Sequence, residues 1–323
     1  MNTISMAGLI RGLAVALAVL CVTAAQAQDK VSVRMKWFHQ AQFAGFYIAS
    51  EKGFYKQANL DVALNPGGPD FPSIQMVAGG SEDFGVTSAD QILIARGRDV
   101  PVVALAVLYR KSPFVLFSLK SSNIERAEQF AGKRIGVKLG GNEELIYRAV
   151  LKKAGLDAKN MNETAVKFDM TPLLTGQLDV WPGYVINEVL TAKEKGFDVN
   201  VIWPGSYGIN LYADTLFATE KLLREKPDVV KRFVAATLKG WDYAVKNPEE
   251  AAKATLKFGN KLNYEHELAM MKASIPLLAP DKKPIGTMDA AEWKNLNDIL
   301  AEGGFLKRAV ALDKAYSASY LVQ

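Results

Sequence analysis

Through the first two thirds of the chain, apolar and polar positions switch repeatedly between the period of a strand and the period of a helix. Val31–Trp37 (VSVRMKW) alternates with period two, and Phe43, Phe46, Tyr47, Phe54 and Ala58 then keep helical spacing over 43–58. Phe84–Val86, Val102–Leu108 and Phe114–Leu119 read as further strands. Ser88–Arg96 reads as a helix, with the Ser88 hydroxyl placed to accept a bond from an otherwise unpaired N–H of the first turn. The pattern then restarts. Arg134–Lys138, Thr164–Phe168, Leu178–Trp181 and Val199–Trp203 read as strands, and Asn142–Ala154, Pro172–Gly176 and Val185–Lys195 as helices. Such alternation implies βαβ units and a largely parallel sheet. From Lys221 only helices are predicted, at Pro227–Val245, Pro248–Phe258, Tyr264–Leu278 and Ala290–Glu302. Pro227 and Pro248 stand where first-turn prolines belong.

A β/α half, a second β/α half and a helical tail predict an α/β protein of two lobes. Residues 28–116 with 217–323 would form lobe 1 and residues 117–216 lobe 2. Leu116–Lys120 and Tyr212–Thr219 are extended apolar stretches suited to paired crossovers, which would make a hinged clamp. Residues 1–27 carry a different signature. Arg11 is the only charge before Asp29, an apolar run follows from Leu13 to Thr23, and Ala25 and Ala27 are small. This predicts a secretory signal peptide cleaved after Ala27, because the run falls short of the roughly 20 residues that span a bilayer. The single cysteine, Cys21, lies inside that run, and Leu20 before it argues against a lipid anchor. Processing would leave no cysteine, removing disulfides, thiolate metal sites and cysteine nucleophiles together. Removing Arg11 takes the net charge from +5 to +4, scattered along the chain, so no nucleic-acid partner is expected.

The block KWFHQAQFAGFYIASEKGFY at Lys36–Tyr55 resembles the thiamine-pyrimidine-precursor group of periplasmic solute-binding proteins of ABC transporters. That group is related to sulfonate, taurine and nitrate binders. The resemblance extends through Gly79–Ala106, Ala131–Gly141 (AGKRIGVKLGG), Leu173–Tyr184 (LLTGQLDVWPGY) and Phe233–Ala251. It implies a type II periplasmic binding protein fold, two α/β lobes joined by two crossover strands, with a small-molecule ligand in the cleft and an inner-membrane permease as partner. It further implies a periplasmic location and a monomer. Trp37, Phe38 and Gln42 occupy the family's cleft-lining loop after the first strand.

The residues themselves allow the following chemistry. Trp37 and Phe38 stand at the carboxyl end of a strand, where open α/β sheets hold ligands, and can stack on a flat ring; ordinary core is the alternative. Ser88 and Asp90 open a helix and could bond ring nitrogens or an amino group, although capping and the helix dipole would also account for them. Gly140, Gly141 and Asn142 join a strand to a helix start, where backbone can approach a ligand closely, but the phosphate-loop pattern is lacking. Trp181 and Tyr184, with Asn187 and Glu188 a turn later, form a second aromatic group, so that a ring could lie between Trp37 and Trp181 or Tyr184. Tyr109 and Tyr212 are further candidates, as are Ser112, Tyr207 and Asp214. His39 and His266 cannot build a typical zinc site without cysteine, and no Asp-rich calcium loop occurs, so no metal or cofactor is expected.

The expected function is therefore the substrate-binding component of an ABC importer, taking a hydroxymethyl- or formylamino-pyrimidine. Riboflavin or another flavin fits the Lys36–Tyr47 block (KWFHQAQFAGFY) equally well. A sulfonate- or taurine-type anion would need cations, for which Lys138 and Arg110 are the candidates. An enzyme is the fourth reading, since relatives of this fold synthesise the thiamine pyrimidine with an iron-binding cysteine-rich run and histidine. Here no cysteine survives processing and no histidine occupies the middle of the chain, so no enzyme is expected.

Overall fold

The period-two run after Gln28 becomes strand β1 (Asp29–Arg34) in the computed structural model, which describes residues 27–321; the signal-peptide expectation falls on residues outside these, apart from Ala27. β1 pairs in parallel along its length with β2 (Leu60–Asn65) and, at Val33 and Arg34, with β3 (Phe84–Ser88). β4 (Val102–Val107) closes the sheet, but between it and β3 runs β10 (Asp214–Thr219), antiparallel to both. The second sheet is built on the same plan. β5 (Phe114–Leu119) lies antiparallel between β8 (Trp181–Tyr184) and β9 (Val199–Ile202), while β6 (Arg134–Val137) pairs in parallel with β7 (Asn162–Ala165). An Ile135–Val180 bridge and the Gly136 N–H donating to the Val180 carbonyl at 2.9 Å join the two parts. The order β7-β6-β8-β5-β9 thus repeats β2-β1-β3-β10-β4. In each lobe the reversed strand is the one that arrives from the other lobe. β5 and β10 lie wholly within one sheet each, so the chain changes lobe at residues 108–113 and 203–213.

The helices of lobe 1 are α1 (Ala44–Glu51), α2 (Phe54–Gln57), α3 (Ser73–Ala78) and α4 (Ala89–Arg96). Those of lobe 2 are α5 (Asn142–Lys153), α6 (Thr171–Leu174) and α7 (Glu188–Glu194). The tail contributes α8 (Glu220–Glu225), α9 (Pro227–Lys246), α10 (Pro248–Thr255), α11 (Tyr264–Leu278), α12 (Ala290–Glu302) and α13 (Leu312–Ala315). The helix expected over 43–58 is broken at Lys52–Gly53, and β2 is a strand that the sequence reading omits although Leu60, Val62 and Leu64 alternate. Ser88 does precede α4, but its side chain makes no capping bond.

Burial explains how the tail attaches. A Cβ on Gly240 of α9 would lie 2.2 Å from the Gly45 carbonyl oxygen of α1, and one on Gly45 would lie 2.2 Å from the Trp241 ring. Only glycine at both positions lets the two helices meet backbone against backbone. The tail therefore closes over lobe 1. Lobe 2 has its own small core of Val115, Phe117, Leu173, Leu178, Trp181 and Val189. Among the described residues no helix is long and apolar enough to cross a membrane.

Candidate functional site

The floor of the cleft begins where β1 ends. Gly67 holds this turn against the next loop, since a Cβ there would sit 2.0 Å from the Met35 carbonyl oxygen, and its N–H donates to the Trp37 carbonyl at 2.8 Å. The neighbouring Lys36 ammonium reaches across to lobe 2 and donates to the Tyr184 hydroxyl at 2.7 Å. It also donates to Asp214 at 3.3 Å. Burial pulls the Lys36 pKa down, but the Tyr184 oxygen, Asp214 and Glu143 outweigh it and hold the pKa above the ordinary lysine value. The Gln42 amide donates to the other Asp214 oxygen at 2.7 Å, and Gln40 donates to Gln42 at 2.6 Å. A buried charge is tolerable when it is paired and hydrogen-bonded, and Lys36 meets that condition.

A second polar contact crosses the lobes at Asp90. The Asn142 amide donates to one Asp90 oxygen at 3.3 Å and Gln91 donates to the other at 2.7 Å. Asp90 is fully buried, and desolvation pushes its carboxyl above the usual carboxylate range. Beside it, Ser88 Oγ and Asn142 Oδ1 are buried with no partner in the protein. A buried polar atom left unpaired costs about 1–3 kcal/mol, so both positions favour an incoming hydrogen-bonding group.

Aromatic contact forms the third crossing. Trp37 meets Phe168 of lobe 2 with ring centroids 4.5 Å apart, and its other neighbour is Phe38 at 5.1 Å. Lys138 lies 5.2 Å over the Phe168 ring and is paired with Glu188 at 3.0 Å, while the Tyr184 N–H fixes the second Glu188 oxygen at 2.9 Å. The cleft thus gathers two lysines, both paired, against the carboxylates of Asp90, Glu143, Glu188 and Asp214. It is rich in acceptors and holds no cation to spare.

Of the residues expected from sequence, Trp37, Phe38, Gln42, Ser88, Asp90, Asn142, Tyr184 and Glu188 come together here, with Asp214. Others go elsewhere. Trp181 corrects the expectation of a second indole in the cleft: it is fully buried in the lobe 2 core, its ring 3.3 Å from where a Gly136 side chain would begin. Its place opposite Trp37 is taken by Phe168. That exchange follows from β8 starting at Trp181 and β7 ending at Ala165, which turns the first residue inward and leaves Phe168 in a loop. Tyr109 is buried, donating to Ser274 at 2.9 Å and to the Gln42 carbonyl at 3.2 Å, so it supports the floor from behind. Tyr212 packs with Arg110 and Asp289 away from the cleft. Arg110 itself is held by Asp281, Asp289 and the Thr287 carbonyl, which withdraws one of the two cations an anion would need. Gly140 is exposed and donates its N–H to Glu144, Gly141 precedes α5, and Asn187 precedes α7 without a capping bond. His39 faces the Tyr47 hydroxyl at 3.0 Å, and burial lowers its pKa. Lys36, Glu143 and Phe168 are the site residues that the sequence reading does not identify. An aromatic set between the charged residues Lys167 and Asp169 is the available signal for Phe168. Among the described residues no cluster of three His, Cys, Asp or Glu side chains could hold a metal ion.

Two lobes of matching strand order with ligating groups at their facing edges define a periplasmic binding protein fold. The periplasmic aliphatic sulphonate binding protein SsuA of Escherichia coli superposes with a TM-score of 0.71 at 15% identity, covering 88% of this chain and 91% of that one. The chain belongs to the family described as NMT1/THI5 like, which it matches over residues 40–251. It is 26% identical to a formylaminopyrimidine-binding protein of Halalkalibacterium halodurans, over 91% of both chains. It is 24% identical to the riboflavin-binding protein RibY of Chloroflexus aurantiacus, over 91% of this chain and 86% of that one. A 4-amino-5-hydroxymethyl-2-methylpyrimidine phosphate synthase of Legionella pneumophila is 23% identical, over 69% and 72% respectively.

Proposed function

We propose that this protein is the substrate-binding component of an ABC importer and that its ligand is an uncharged, flat amino-heterocycle of the pyrimidine class. The observation that carries this reading is an acceptor-rich cleft without a free cation, set beside the Trp37–Phe168 pair. Ring amino groups are donors and suit Asp90 and Asn142 Oδ1, while a ring nitrogen suits the Ser88 hydroxyl. A sulfonate would meet four carboxylates and two lysines already neutralised. Trp37 and Phe168 touch in this structure. A ring sandwiched between them would hold their centroids about 7 Å apart, two contact spacings of about 3.5 Å, so the lobes must part to admit it. That a formylaminopyrimidine-binding protein and a riboflavin-binding protein are among its relatives supports capture without turnover. The Arg11–Ala27 signature supports export to the periplasm, and the likeness to binding components of import systems supports an inner-membrane permease as partner.

Titration calorimetry on the processed chain tests the reading with hydroxymethyl-pyrimidine, formylamino-pyrimidine, riboflavin and taurine. Saturable binding of a pyrimidine, with the ligand recovered unaltered, is the expected result. Riboflavin or taurine binding with neither pyrimidine bound would replace it, and altered ligand would return the enzyme reading.

A further inference from the structure

Four large apolar side chains are left exposed among the described residues: Phe38 at 55%, Phe71 at 49%, Leu139 at 60% and Phe168 at 46%. Their positions are not scattered. Phe38 follows β1, Phe71 follows β2, Leu139 follows β6 and Phe168 follows β7. These are the corresponding first pairs of strands in the two sheets, and loops at the carboxyl ends of parallel strands are where this type of sheet presents its ligand groups. The row is continuous where contacts define it. A Cβ on Gly68 would lie 3.2 Å from the Phe38 ring, Phe38 meets Trp37, and Trp37 meets Phe168 on the other lobe. Because this linked part draws on both lobes, an object lying along it between the lobes touches Phe38, Trp37 and Phe168.

Exposed apolar rings concentrated in one place mark a surface that is covered during function. A bare pyrimidine seated at Ser88, Asp90 and Asn142 and flanked by Trp37 and Phe168 leaves Phe38, Phe71 and Leu139 uncovered. The cations beside the row are matched: Arg34 stands 5.3 Å over Phe71 and pairs with Glu82, and Lys138 stands over Phe168 and pairs with Glu188. A charged substituent would lose water here without gaining a partner.

We propose that the cleft takes a two-part ligand, a flat amino-heterocycle inside and an uncharged apolar substituent that runs outward along the Phe38–Trp37–Phe168 row past Leu139. The proposal rests on the amino-heterocycle reading above and adds the class of its substituent. Calorimetry on the processed chain compares an aminomethylpyrimidine with the same compound carrying a benzyl group on the ring carbon beside the amino group. The benzyl compound is expected to bind about tenfold tighter or better. In a Phe38→Ser, Leu139→Ser double variant, checked for an unchanged melting temperature, the ratio of the two affinities is expected to fall towards one. Equal affinities in the unaltered protein, or a ratio the variant does not change, would overturn the proposal while leaving the amino-heterocycle reading in place. Binding of neither compound would overturn both. Self-association abolished by the double variant, with no effect on the ratio, would assign the row to contact between two copies.

Discussion

At the scale of single residues, two tryptophans that look alike in sequence have opposite duties. Trp37 is half-buried against Phe168 and Phe38, whereas Trp181 has no exposed surface and an indole N–H without a partner. Trp37→Ala is expected to abolish most ligand affinity while the melting temperature of the unliganded protein holds. Trp181→Ala is expected to destabilise by about 3–5 kcal/mol, the range for truncating a large core aromatic, read by urea denaturation. Asp90 gives a second test. Its carboxyl is raised by burial, so the folded state favours the protonated form more than the unfolded state does. Its charge therefore costs stability at neutral pH, and that cost disappears as pH falls through the folded-state value. Asp90→Asn should raise the melting temperature at neutral pH, lose the gain in acid, and weaken ligand binding throughout. Thermal melts across that pH range check the first two effects and calorimetry the third.

At the scale of elements, the pairing of α9 with α1 turns on Gly45 and Gly240. Gly240→Ala places a methyl group into the Gly45 carbonyl and is expected to destabilise by about 1–3 kcal/mol as an overpacked contact, measured by chemical denaturation. The helical tail was legible to the residue at Tyr264–Leu278 and Ala290–Glu302 because each carries an apolar stripe of uniform period. The strands of lobe 2 were less so. β7 and β8 are four residues long, too short for alternation to fix where they begin, and their ends moved by two or three positions. That slip alone misassigned the cleft aromatic, because it exchanges an inward Trp181 for an exposed Phe168. β2 is legible in the alternation of Leu60, Val62 and Leu64. Ser88, Asp90 and Asn142 were legible from their place at helix starts after strands. The Lys36–Tyr184 bond was not, since nothing local in either segment records a partner 148 residues away.

At the scale of the whole molecule, the contacts that join the lobes in this structure include Lys36 with Tyr184, Asp90 with Asn142, Trp37 with Phe168, and His266 of the tail with Glu194. Removing the first two through Tyr184→Phe and Asn142→Ala should enlarge the radius of gyration of the unliganded protein in small-angle scattering, and saturating ligand should reduce it again. An unchanged radius in the double variant would show that packing elsewhere holds the closed form. The repeated strand order carries a further consequence. Residues 114–202 contain every strand of the second sheet, whereas the first sheet leaves a gap between β3 and β4 that only β10 fills. On a ribosome, or while threading through a translocation pore, the half that emerges first cannot finish its sheet until residue 219 is out. The later-encoded lobe is therefore the earlier one able to fold, and the amino-terminal half stays pliable for most of synthesis.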